Sequence, residues 1–352
     1  GLVDVLLVVG KVLLVAHVML ALGAVLVWAE RRVSAAMQDR VGPNRVGWWG
    51  LGQSIADLGK FIFKEDVVPA HVHKWMYILA PAITLVPAMI TFAVIPYGPG
   101  MAIADLDVGL LYVLSIASLG IYGITLGGWA SNSKYALLGG VRSSAQMISY
   151  EVVLGLSTVG VLLTAGSLRL SDIVTDQASS GWFLWRQPLA FLLFLAASYA
   201  ETNRLPFDLP EAETELVAGY HTEYSSMKFA LFFLGEYLAM VVSSALVTTL
   251  FLGGWSLFGL ERLHWSLGLL IFAAKTLFLL FVYIWVRWTI PRFRYDQLMN
   301  LCWRWMFPLA LLNVLVTAGA SALDVPALQW LLPVVLLGMG LGPAVLAERR
   351  DE

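Results

Sequence analysis

The sequence predicts an all-α fold, a polytopic transmembrane helical bundle of about eight or nine spans with an interfacial amphipathic helix in the first cytoplasmic loop. Three observations carry that expectation. Hydrophobic residues make up 59% of the 352 positions and charged residues only 13%, with a mean hydropathy of +0.78, more apolar surface than a water-soluble core can hide. Nearly uncharged runs recur at 3–28, 76–96, 108–130, 145–166, 182–200, 229–252, 266–288, 304–321 and 327–346, most of them close to the ~20 residues that cross hydrocarbon as a helix. The runs also lack the period-two alternation of barrel strands, and in lipid a helix satisfies every backbone group within its own segment. Residues 1–352 therefore read as a single integral membrane domain.

Taken in order, the connections between these runs fix the orientation. Seventeen of the 22 Lys and Arg residues fall in alternate connections, from Arg31 and Arg32 through Arg142, Arg204 and Arg287 to Arg350, whereas the opposite connections hold only Arg169, Arg186 and Arg262. Positive charge stays in the cytoplasm. The first residue then lies outside and the terminal ERRDE inside. Twelve of the 14 tryptophans fall near run ends, where indole prefers the headgroup boundary.

Composition also excludes several functions. A net charge of -2, with the basic residues already used by topology, argues against nucleic acid as a partner. The one cysteine, Cys302, cannot build a four-thiolate cluster or an internal disulfide. Of five scattered histidines, only His71 and His73 are close together, and a solvated loop pair explains them as simply as a metal does. No GxGxxG follows a strand, and neither a Walker sequence nor a nucleophile elbow occurs. Any nucleotide or electron carrier is expected on a partner.

Charges inside the apolar runs are more telling, because one at mid-bilayer costs at least ~2.5 kcal/mol. Glu151 and Glu236 stand six and seven residues into the fourth and sixth runs, ~9–11 Å from the cytoplasmic end at helical rise. Lys275 lies nearer the middle of the seventh run, as a counter-charge or a neutral amine. Directly above the two acids runs ETNRLPFDLPEAETEL, with Asp208, Glu211, Glu213 and Glu215, followed by Glu223. A charge run is ordinarily a solvated connector. Here Pro206 and Pro210 stiffen it, Leu205, Phe207 and Leu209 give it surface to bury, and Glu151 and Glu236 continue the acid inward. Clustered carboxyls in a poorly solvated setting raise one another's proton affinity and can pass protons near neutral pH, which is the chemistry of a relay; two hydrogen-bonded structural acids are the alternative.

In the first cytoplasmic connection, Ile55, Leu58 and Ile62 recur at helical spacing between Gln53 and Lys64, opposite Gln53, Asp57, Lys60 and Lys64. That pattern predicts a helix lying at the membrane surface, entered by a turn at Gly42, Pro43 and Asn44. Such a helix either walls an opening for an amphipathic, lipid-soluble ligand or only anchors the loop.

AERR, RVGPNRVG, QSIADLGKFIFKED, GWASNSKYALLGGVRSSAQMISYEV, AETNRLPFDLPEAETELVAGYHTEYSSMKF, GEY and PRFRYDQLM together resemble the H subunit family of proton-translocating NADH:quinone oxidoreductase, respiratory complex I, over about residues 25–318. The resemblance implies a multi-pass protein of the bacterial cytoplasmic (inner) membrane that helps form the quinone chamber at the junction with the hydrophilic arm. It implies chamber positions Glu30, Arg31, Arg40, Asp57 and Phe229, with Arg45 and Lys60 in adjoining motifs. It implies an acidic path through Glu151, Asp208, Glu211, Glu213, Glu215, Glu223 and Glu236, and an interface with the hydrophilic arm at Arg292 and Arg294. Quinone is then the substrate, NADH, FMN and iron–sulfur clusters belong to partner subunits, no cofactor or metal is bound by this chain, and small membrane-arm subunits and lipid surround it. The tail beyond Ala322 departs from relatives that commonly stop after eight spans. A stand-alone ion transporter would also explain buried acids but predicts internal repeats that the sequence lacks. The membrane anchor of a related proton-pumping hydrogenase is a nearer alternative, against which the intact GPNRVG to FKED segment weighs.

Overall fold

The structure, a computed structural model, describes residues 2–209 and 217–325. Among these residues every regular element is helical. Seven helices are long and apolar enough to cross a membrane. The helices are α1 (Leu2–Met37), α2 (Gln53–Phe63), α3 (Lys74–Thr91), α4 (Gly109–Ala130), α5 (Lys134–Ala165), α6 (Leu170–Ser180), α7 (Phe183–Arg186), α8 (Pro188–Glu201), α9 (Ser226–Phe251), α10 (Trp265–Thr289), α11 (Tyr295–Asn300) and α12 (Phe307–Ala322). A π-helical stretch, Leu301–Met306, joins α11 to α12, so that Tyr295–Ala322 acts as one span. Among the described residues the chain is thus built to cross a membrane several times.

Of the expected spans, 182–200 is not one membrane-length helix: Gln187 leaves helical geometry at φ -136 and Pro188 starts α8 afresh, since proline fixes the first helical position but cannot continue a helix through it. The 14 residues of α8 reach about 21 Å, short of the ~30 Å hydrocarbon core. The run 327–346 lies outside the described residues.

The centre of the bundle is α9. Its inner face, including Tyr237, Leu238, Val241, Ala245 and Leu250, is buried, and the helix packs chiefly against α3, α10 and α1. Most of the first half of α1 is exposed, with Val3, Leu6, Leu7 and Leu14 each at least 60% exposed, as suits a face turned to lipid tails. α2 forms where its periodicity placed it, and Ile55 and Ile62 stay exposed on an element too short to span, the arrangement of a surface-lying amphipathic helix.

The connections at the site end of the bundle are folded in. Buried Gln146 of α5 donates from one amide nitrogen to the carbonyls of Ala200 (2.8 Å) and Phe207 (2.9 Å) and to Asn203 Oδ1 (3.2 Å), pinning the turn after α8. Phe207 and Leu209 are 6% and 1% exposed. On the far side of the acidic stretch, Gly219 and Tyr220 press on α5 at Gly139, where a Cβ would stand 2.7 Å from the Gly219 Cα. Only glycine at position 139 permits that approach.

Lys275 is held by backbone carbonyls, with Glu261 within electrostatic reach. Its Nζ donates to the carbonyls of Leu252 (2.6 Å), Gly254 (3.0 Å) and Ser256 (2.6 Å) beneath the Trp182 ring. It thereby caps the carbonyl end of α9, where a cation is favoured by the helix dipole.

Candidate functional site

Arg204 organises the site. It follows the turn at Thr202 and Asn203 and is 8% exposed. Its Nη1 donates to both carboxylate oxygens of Glu30, at 3.4 and 3.3 Å, and its Nη2 stands 4.0 Å from Glu236 Oε2. The guanidinium also lies 4.4 Å from the centre of the Tyr237 ring, a cation–π contact. Glu30 is paired a second time with Arg287 of α10. Tyr220 donates its hydroxyl to Glu236 Oε1 at 3.0 Å. Four elements thus meet in one line of charge, Arg287, Glu30, Arg204, Glu236, ended by the Tyr220 hydroxyl. With Glu30 at 7% and Glu236 at 8% exposure, the guanidinium and phenol groups around them supply the hydrogen bonds and opposite charge that a buried carboxyl group needs.

Glu236 also faces the other way. Between α3, α4, α5, α8 and α9 lies a largely apolar cavity, walled by residues such as Ile124, Met147 and Leu246, onto which Glu236, Glu201, Thr84, Thr91, Thr202 and Asn203 also open. Space for water centres amounts to about 70 Å³; since roughly 10–15 Å³ accommodates one water, a short chain of waters fits. Glu201, the last residue of α8, is close enough to Glu151 for the two charges to interact. The acids therefore run Glu236, cavity, Glu201, Glu151. Seventeen residues of α5 precede Glu151 and ten of α9 precede Glu236. Glu201 thus shares the cavity with Glu236 and interacts with Glu151.

Other expected positions are distributed around this core. Asp57 of α2 accepts from Arg31 Nη1 at 2.5 Å and from Gln53 at 3.0 Å. Partial burial opposes its ionisation, but those hydrogen bonds and the nearby charges of Arg31 and Lys60 prevail and hold its carboxyl below the usual range. Phe229 sets its ring 6.2 Å from that of Phe61 of α2 and 5.3 Å from His221. Lys60 lies over the Phe61 ring. Arg40 is exposed and donates to its neighbour Gln38 at 2.6 Å, and Arg45 is exposed on the same loop; neither is brought to Asp57. Asp208 accepts from Arg292 at 3.2 Å, which ties the acidic stretch to the segment before α11, where Phe293 stacks on Phe207 at 5.6 Å. Arg294 chelates Asp296 two residues on. Glu223 is partly buried and its carbonyl accepts from Tyr77 at 2.6 Å. Glu211, Glu213 and Glu215 lie outside the described residues.

Sequence reasoning missed Glu201, Arg204 and Tyr220. Glu201 sits at a span boundary, where an acid is ordinarily solvated, and only its inward turn onto the cavity sets it apart. Arg204 resembled one more cytoplasmic cation. Its immediate neighbours Asn203 and Pro206 hinted at a folded turn, but the partners Glu30 and Glu236 are remote in the chain.

A multi-pass helical membrane protein, with a buried line of paired charges at its Arg-rich end and an acid-lined cavity below, is the class that this fold and site define. The sequence profile of the NADH dehydrogenase family matches residues 10–318. Over 316 residues the chain is 54% identical to the first H subunit of NADH-quinone oxidoreductase from Geobacter metallireducens, covering 87% of this chain and 94% of the relative. It is 55% identical over 316 residues to the second H subunit of the same enzyme from Geobacter sulfurreducens, with the same coverage, and 51% identical over 326 residues to NADH-quinone oxidoreductase subunit 8 of Rhodothermus marinus, covering 88% and 96%. The chain belongs to the NADH dehydrogenase family, as a membrane subunit of respiratory complex I.

Proposed function

We propose that this subunit forms one wall of a quinone chamber and passes the electrostatic consequence of quinone reduction to an internal proton relay. The single observation that carries the reading is Arg204 bridging Glu30 and Glu236. Glu30 belongs to the chamber side with Arg31, Arg40, Arg45, Asp57, Lys60 and Phe229. Glu236 belongs to the cavity side with Glu201 and Glu151. A guanidinium shared by two buried carboxylates makes the proton affinity of each depend on the charge of the other.

The chemistry follows from that sharing. Quinone is the substrate, reduced by an iron–sulfur cluster on a partner subunit that draws electrons from NADH through FMN. When charge near α2 and Glu30 changes, Arg204 redistributes between its two carboxylates, and Glu236 gains or loses a proton. Water in the cavity carries that proton to Glu201, within electrostatic reach of Glu151. Asp208 and Glu223 extend the same path, with Glu211, Glu213 and Glu215 between them in the chain, and Arg292 and Arg294 lie toward the hydrophilic arm. Small membrane-arm subunits receive the change beyond Glu151.

Glu236→Gln and Glu201→Gln keep the hydrogen-bonding shape and remove the titration. In assembled complex, each is expected to lower quinone reductase activity and proton pumping together by about tenfold or more, the scale of losing a positioned proton-transfer group. Full coupled activity in both variants would falsify the relay.

A further inference from the structure

Three side chains at the start of α9 grip the end of α2. Ser226, held at φ 53, aims its hydroxyl at the carbonyls of Phe61 (2.7 Å) and Lys64 (3.1 Å). The last carbonyls of a helix have no partner within it, so α2 is capped from outside by α9, and the left-handed backbone at Ser226, unfavourable for a residue with a Cβ, is the conformation in which this happens. Ser225 donates to the Val67 carbonyl at 3.4 Å. Lys228, 8% exposed, is ion-paired with both oxygens of Asp66 and lies over the ring of Tyr77. Tyr77 closes the far side of the same segment, stacking on Tyr224 at 4.1 Å and donating to the Glu223 carbonyl.

The segment so gripped is short and leads directly to the charge line. Five residues separate Ser226 from Tyr220, whose hydroxyl holds Glu236. Buried Gly219, Tyr220 and Tyr224 leave this stretch little freedom to absorb a displacement. We propose that Ser226 and the Lys228–Asp66 pair are positioning residues that make α2 and the segment 219–226 move as one body, so that anything seated against α2 alters how Tyr220 holds Glu236. This rests on α2 being a chamber wall. It adds a mechanical route from the chamber to Glu236, separate from the electrostatic one through Arg204.

Hydrogen exchange on the purified complex, with and without decylubiquinone, tests the inference. In the wild type, quinone is expected to change protection in both 53–63 and 219–226. Asp66→Asn is expected to keep the change in 53–63 and to shrink that in 219–226 by about threefold to tenfold, the usual scale for a broken coupling contact, and the exchanged pair Asp66→Lys with Lys228→Asp restores it. Should Asp66→Asn not assemble, Ser226→Ala carries the same expectation. A wild-type-sized response of 219–226 in the assembled Asp66→Asn or Ser226→Ala complex overturns the staple alone. No response of 53–63 in the wild type overturns the chamber-wall reading and the staple with it.

Discussion

At the scale of single residues, the site turns on one arginine. Arg204 serves two acids from different helices, Glu30 of α1 and Glu236 of α9, and rests on Tyr237. Removing one member of a buried charged set leaves the others uncompensated, a cost of about 3–5 kcal/mol. Arg204→Met is therefore expected to deplete the assembled complex in the membrane, measured on a native gel. Arg204→Lys keeps the charge but loses the planar fork that reaches two carboxylates at once and the stack on Tyr237; it is expected to assemble and to show reduced quinone reductase activity. Equal activity of Arg204→Lys and wild type would show that charge alone suffices. Single positions also mark where the sequence was least legible. Asp57 and Phe229 stand within long motifs, whereas Glu201 and Arg204 look like ordinary boundary charges until α8 and the turn after it are folded onto α5 through Gln146.

Among the elements, the decisive feature is that the acidic stretch is anchored at both described ends. Before it, Gln146 holds the turn after α8; after it, Gly219 and Tyr220 lie against Gly139 of α5. A methyl group at position 139 would strike backbone, which cannot rotate away as a side-chain tip can. Gly139→Ala is expected to leave α5 helical, alanine being the better helix former, and yet to displace 219–225 and lower coupled activity by about tenfold, the scale on which small misplacements cost rate. Wild-type pumping in that variant would mean that the packing of this segment is immaterial. The interfacial helix was readable because three apolar residues recur at helical spacing over a single short stretch. The break at Gln187 was less so, since an apolar run continues through it and only Pro188 signals the restart.

Across the whole molecule, charge distribution sets the topology. Arg31, Arg204, Arg287 and Arg292 all gather at the site end of the bundle, while Asp105, Asp107 and Arg169 pair with one another at the other. Single cysteines read this directly, because native Cys302 is buried and gives little background. With a membrane-impermeant maleimide, Asn132→Cys is expected to label only from the cytoplasmic side of inverted vesicles, and Asp107→Cys only from the outside of intact spheroplasts. The reverse pattern would invert the site relative to the membrane.

By itself the sequence determined that this is a helical membrane protein, where most of its spans run, that a surface helix follows the first span, and which family it belongs to. These properties follow from local composition, periodicity and motif, and each is written within a stretch of some twenty residues. Tertiary structure alone decided which charges meet. Glu30 and Arg204 are 174 positions apart, and no local pattern encodes their contact; packing of α1, α8, α9 and α10 around a shared buried volume brings them together, because a charge removed from water must find its opposite wherever the fold places it.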